Sequence, residues 1–158
     1  MPIYMKIEGI DGESHNPDFR GFFDVFSFSW GATNPSTVGG GCGAGRVQIQ
    51  DVSVTKPCGK GSPKLMLACA SGRHLPAVQI IDTIRRGELE EVYQQYKLSN
   101  CMITSYQVGG DGGSTPSESI SLNFTKIEYK QILFGESGRP EGQQTAFWDQ
   151  RTNSGGEL

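Results

Sequence analysis

Cys69 and His74 stand five residues apart, and Ser71 lies between them, so a thiol or hydroxyl nucleophile with an imidazole base is conceivable in this stretch. Nucleophilic catalysis also needs a third group to orient the base, and the sequence offers none at a recognisable spacing. The only other histidine, His15, sits in a polar run where solvation accounts for it. No Gly-x-Ser-x-Gly occurs, and no carboxylate pair is spaced for glycosidic chemistry. Gly40-Gly41-Cys42-Gly43-Ala44-Gly45-Arg46-Val47 approaches a phosphate-binding loop, but Arg46 and Val47 replace the required Lys and Ser or Thr. A strand pattern follows it where a phosphate cradle needs a helix N-terminus. Cys42, Cys58, Cys69 and Cys101 are spaced by 16, 11 and 32 residues, with no C-x-x-C and no histidine at zinc-ligand distance. The residues therefore predict reduced thiols made in the cytoplasm, no metal, no cofactor and no enzyme. A small hydrolase using Cys69 or Ser71 with His74 is the minor alternative.

The surrounding pattern is that of strands. Ile3, Met5 and Ile7 alternate with Tyr4, Lys6 and Glu8 and stop at a turn signal, Asp11-Gly12. A polar loop over 13–20 precedes a second strand, Phe22–Trp30, with Phe26, Phe28 and Trp30 on one face and Val25, Ser27 and Ser29 on the other. By area, the aromatic face belongs to the core. Residues 31–45, rich in Gly, form a long loop of the functional or disordered kind. Strand alternation resumes over Arg46–Thr55, and the change from Val47 and Ile49 to Val52 and Val54 predicts a β-bulge near Asp51.

One helix is predicted over 62–72, with Ser62 as N-cap, Pro63 in the first turn, Gly72 as the stop, and Leu65, Met66 and Cys69 facing a sheet. Val78, Ile80 and Ile84 mark a fourth strand, turned by Gly87-Glu88. A fifth runs Val92–Val108, its even face carrying Tyr96, Leu98, Met102, Tyr106 and Val108. Ile120, Leu122 and Phe124, then Ile127, Tyr129 and Leu133, predict a sixth strand with a bulge near Thr125-Lys126. The segment 135–158 is polar apart from Phe147-Trp148. Six or more strands without βαβ repeats predict an all-β fold, an antiparallel barrel or sandwich with one short flanking helix.

With 158 residues, the chain fits a single domain over 1–158 that can bury a core without disulfides. Twenty-two glycines are about twice the usual share of roughly 7% and favour turns and bulges. A net charge of −3 argues against binding nucleic acid. The apolar runs are far short of the ~20 residues that span a bilayer, and the N-terminus shows no Sec-type signal, so membrane insertion is not expected. Ser27 and Ser29 would simply face water in a monomer; in a ring, the same outward face would become a channel wall.

The ordered set Asp24-Val25-Phe26-Ser27-Phe28-Ser29-Trp30-Gly31, Gly43-Ala44-Gly45-Arg46-Val47 and Gln50-Asp51-Val52-Ser53-Val54-Thr55-Lys56 resembles the Hcp family, the haemolysin-coregulated proteins of the type VI secretion system. Ser62–His74, Leu122-Asn123-Phe124 and Trp148-Asp149-Gln150-Arg151-Thr152-Asn153 extend the resemblance along the chain. It implies a barrel that forms a hexameric ring, rings that stack into an inner tube, and secretion from the cytoplasm without a Sec signal. It also implies as partners a VgrG-type spike, a contractile sheath and small effector proteins carried inside the ring. On this resemblance Ser27 and Ser29 face the lumen and contact effectors. Ring stacking falls to Thr33, Asn34, Pro35, Ser36, Thr37, Val38, Gly39, Gly40, Gly41 and Cys42, within an extended loop over 33–45. A monomeric β-sandwich binding module is the alternative.

Overall fold

Alternation gives each strand a single apolar face, and a chain that must wrap around a core keeps that face inward only by breaking the alternation where it changes partner. The computed structural model describes residues 2–35 and 46–158. Its strands are β1 (Ile3–Ile7), β2 (Phe23–Val25), β3 (Ser27–Ser29), β4 (Ala32–Thr33), β5 (Gln48–Ile49) and β6 (Val52–Pro57), followed after helix α1 (Ser62–Ser71) by β7 (His74–Arg86) and β8 (Leu89–Gly109). β9 (Ser117–Asn123), β10 (Lys126–Phe134), β11 (Pro140–Asp149) and β12 (Ser154–Glu157) complete them. Neighbouring strands pair antiparallel, as the sequence predicts.

The main sheet runs β12-β11-β10-β8-β7-β1-β2, and a second path, β3-β6-β9, joins it through β8. The ring of strands is not closed as one ladder. β2 pairs with β1, and after a single intervening residue β3 pairs with β6. That residue is Phe26, whose N–H donates to the Thr55 carbonyl at 2.8 Å. The slip corrects two sequence expectations: Val25, assigned to the polar face, is buried with Phe23, and Phe26, assigned to the core, is 64% exposed. Beyond the slip Phe28 and Trp30 pack against the core as expected.

A comparable switch occurs in β8. Its first half pairs with β7 and β10, the latter ending at Ser99↔Lys126, and its second half pairs with β9 from Met102↔Asn123. Between them Asn100 adopts a left-handed φ of 53°. The buried set passes from Tyr96 and Leu98 to Cys101 and Ile103, so Met102 is not the core residue that strict alternation predicts, and Val108 ends up 56% exposed. The expected bulges near Asp51 and Thr125 appear as full strand breaks, between β5 and β6 and between β9 and β10. The polar segment 135–158, which lacks an apolar period, nevertheless forms β11 and β12 by backbone pairing.

Helix α1 begins with Gly61 as its N-cap, not Ser62. The Ser62 hydroxyl lies inside the fold instead, accepting from Gly59 N–H at 3.0 Å and donating to Glu118 Oε1 at 3.0 Å. The helix buries Ser62, Leu65 and Ala68, an i, i+3, i+6 row, so Met66 is solvent-facing rather than core. Gly72, at φ 66°, ends it as predicted, with its N–H turned back to the last helical turn.

Glu118 is the acceptor for a buried network. The Lys56 ammonium is ion-paired with it, the Tyr106 hydroxyl donates to it, and Lys56 Nζ also donates to the Pro57 carbonyl at 2.8 Å and lies 4.8 Å above the Phe23 ring. Removing one member of such a pair strands the other charge. Glu118→Leu is therefore expected to cost about 3–5 kcal/mol in urea unfolding, and Lys56→Met in the same chain to recover most of it. Equal stability of the single and double variants would show that the charges are not coupled.

Candidate functional site

Ser27 and Ser29 lie exposed on one face of β3, which their alternation with Phe28 requires. The register carries this face across three more strands. Ser27 stands opposite Thr55 and Ser29 opposite Ser53 on β6; these oppose Ser119 and Ser121 on β9, which in turn oppose Gln107 and Ser105 on β8. Neighbours touch through their hydroxyls, with Ser105 Oγ donating to Ser121 Oγ at 3.0 Å and Thr55 Oγ1 lying 3.4 Å from Ser119 Oγ. At the rim, Asp51 accepts from Thr104 Oγ1 at 2.8 Å and Asn123 Nδ2 at 3.0 Å, holding the chain across the break before β6. Sequence reasoning singled out only Ser27 and Ser29. Apart from Ser105, the other hydroxyls stand in the sequence as Ser53-x-Thr55 and Ser117-x-Ser119-x-Ser121, the polar halves of two alternating runs.

Behind this face lies an aromatic layer. Phe28 and Trp30 meet Tyr96 edge-on at 5.4 and 5.6 Å, and Tyr96 and Tyr129 are 4.6 Å apart. Both phenols donate to Gln94 Oε1 at 3.1 Å. Burial pushes the Tyr96 phenol up to about 12 and the Cys101 thiol, on β8, also to about 12. The Tyr106 hydroxyl is raised too, first by burial and then by the Glu118 carboxylate.

Of the predicted stacking residues, Thr33 lies in β4, paired with Gln48, while Asn34 and Pro35 follow it exposed. Ser36, Thr37, Val38, Gly39, Gly40, Gly41 and Cys42 lie outside the described residues. Cys69 is half-buried on α1 and His74 is exposed at the start of β7, opposite Met102. Among the described residues, no group of three or more His, Cys, Asp and Glu side chains could hold a metal ion, and no helix is long and apolar enough to cross a membrane.

This face, uncharged across its four strands, is covered mainly by hydroxyls. Residues 4–131 match the family described as type VI secretion system effector, Hcp. The chain belongs to the Hcp family of type VI secretion system proteins. It is 34% identical to Protein hcp1 of Pseudomonas aeruginosa, over 97% of each chain. Among solved structures, a type six secretion system protein superposes with a TM-score of 0.90 at 26% identity, covering 98% of both chains. Hcp1 from Salmonella typhimurium superposes at 0.78 with 27% identity, over 99% of this chain and 98% of that one. The antiparallel sheet with one helix is thus the Hcp fold.

Two tests follow from the burial of these side chains. Phe26→Ala is expected to change stability by no more than about 0.5 kcal/mol, whereas Trp30→Ala costs about 3 kcal/mol, read by urea denaturation. The raised folded-state values of Cys101 and Tyr96 mean that their contribution is complete only well below pH 9, where the unfolded thiol is already about half ionised, and is lost as pH rises toward 12. In a pH series of melts, Cys101→Val should move the onset of this loss upward, toward the ionisation of free tyrosine near pH 10.

Proposed function

We propose that this Hcp protein is a structural component of the type VI secretion inner tube: a ring-forming, exported protein without a catalytic role, whose rings stack and carry small effectors. The hydroxyl sheet carries the reading. Among the described residues, β3 pairs with β6 alone and β8 beyond Met102 pairs with β9 alone, so the described sheet β3-β6-β9-β8 has an open edge at each end. Because its four strands alternate in direction, the first and last run opposite ways. β8 of one copy can then pair antiparallel with β3 of the next, and repetition by rotation removes every open edge of this sheet.

In that ring the hydroxyl face, Ser27 and Ser29 included, forms the lumen wall and touches the cargo. Its small, uncharged groups offer many weak hydrogen bonds and little apolar surface, a chemistry suited to holding a folded protein and letting it go. The residues from Thr33 through Cys42 contact the next ring. The spike protein and the contractile sheath are the partners at the end and outside of the tube.

The native mass of the purified chain is expected near six times 17.2 kDa, roughly 103 kDa, and a mass of one chain at micromolar protein would overturn the ring. Ser29→Gln should leave that mass and the melting temperature unchanged while lowering co-purification of effector proteins. Undiminished cargo with a bulky amide at position 29 would remove this residue from the cargo surface.

A further inference from the structure

The hydroxyl face carries one side chain of a different kind. Its two cross-strand rows read Ser29, Ser53, Ser121, Ser105 and Ser27, Thr55, Ser119, Gln107. Seven of these eight positions hold a hydroxyl one carbon away from the backbone, a low polar floor. Gln107, exposed at the β8 end of its row, holds a carboxamide on two further methylene groups and stands above that floor. The hydrogen bonds across the face, Ser105 to Ser121 at 3.0 Å and Thr55 to Ser119 at 3.4 Å, tie hydroxyls to one another and leave the Gln107 amide out.

The chemistry of that group narrows what it can hold. A primary amide presents two donors and an acceptor in one plane, which complements a peptide group with its own N–H and C=O. Unpaired peptide groups are what the edge strands and loops of a folded protein expose. Being uncharged, the amide forms such a pair without desolvating an ion, and added salt does not screen it. We infer that Gln107 is the specificity-determining residue of the lumen wall, its amide pairing with exposed peptide groups on an edge strand or loop of the cargo. The inference rests on the ring reading, which turns this face inward and repeats Gln107 at one level of the channel. The serines beneath keep the wall low enough for a folded protein to approach it.

The test uses the full-length chain, purified as the ring from the cell that makes it, and its probe is the set of proteins retained with the parent ring, measured per ring beside native mass. Gln107→Ala should lower their retention about tenfold or more at unchanged native mass and melting temperature. Gln107→Asn, which keeps the amide but draws it back by one methylene, should restore part of it. Retention by the parent should be the same at low and high salt, whereas Gln107→Glu should make what remains salt-dependent. Retention lowered by Ser29→Gln but untouched by Gln107→Ala would overturn this inference and leave the lumen reading standing. Parent retention that falls with salt would show recognition by charge and overturn the amide pairing. Loss of the ring itself in Gln107→Ala would place this residue in the joint between copies and overturn its role in the channel. A parent that forms no ring, or a ring that retains no protein, would overturn the reading on which this one rests.

Discussion

A single buried carboxylate sets the arrangement of the strands that matter most. Glu118, on β9, takes the Lys56 ammonium from β6, the Tyr106 hydroxyl from β8 and the Ser62 hydroxyl from the start of α1. A charge withdrawn from water is tolerable only when its partners satisfy it, so a slip of β6 against β9 would leave an ion unpaired in the core, and a slip of β8 would take the Tyr106 hydroxyl from Glu118. The register held on the inner side also determines the outer side. With Lys56 opposite Glu118, and Glu118 opposite Val108, the flanking residues that turn outward are Thr55, Ser119 and Gln107. The continuity of the hydroxyl face is a consequence of the buried ion pair behind it.

The sheet turns its corners at residues that break the alternation. Phe26 lets one short stretch pair first with β1 and then with β6, and Asn100 lets β8 leave β10 and take up β9. A one-residue slip normally sends an apolar set into water. Here it coincides with a change of partner, so Phe23 and Val25 before the slip, and Phe28 and Trp30 after it, all reach the core. The cost is local: Phe26 itself, at the corner, is left in solvent.

The outer surface divides into two chemistries. Across β3, β6, β9 and the second half of β8 it carries hydroxyls and an amide. Across β1, β7, the first half of β8 and β10, one cross-strand row reads Lys6, Gln79, Lys97 and Glu128. Proteins of the Hcp family belong to the type VI secretion system.

The sequence by itself determined the local character of each element. Alternation marks β1, β6 and β9, the aromatic and serine faces of β3 follow from side chains pointing oppositely at successive positions, and Pro63 and Gly72 bound the helix. Those features are visible because they depend on residues within a few positions of one another. The resemblance to Hcp likewise rests on short motifs in order. Tertiary structure alone decided which strand lies beside which, and therefore that Val25 is buried and Phe26 is not, that Met102 yields to Cys101 and Ile103, and that Ser53, Thr55, Ser105, Ser119 and Ser121 join Ser27 and Ser29 in one surface. It also made strands of the largely polar segment after Gly135, where β11 and β12 are held by ladder hydrogen bonds, β11 to β10 and β12 to β11, with Trp148 packed against the core. Strand pairing is made by backbone groups that are the same at nearly every residue, so its choice among partners leaves no mark in local side-chain pattern and is settled only when the whole core is packed.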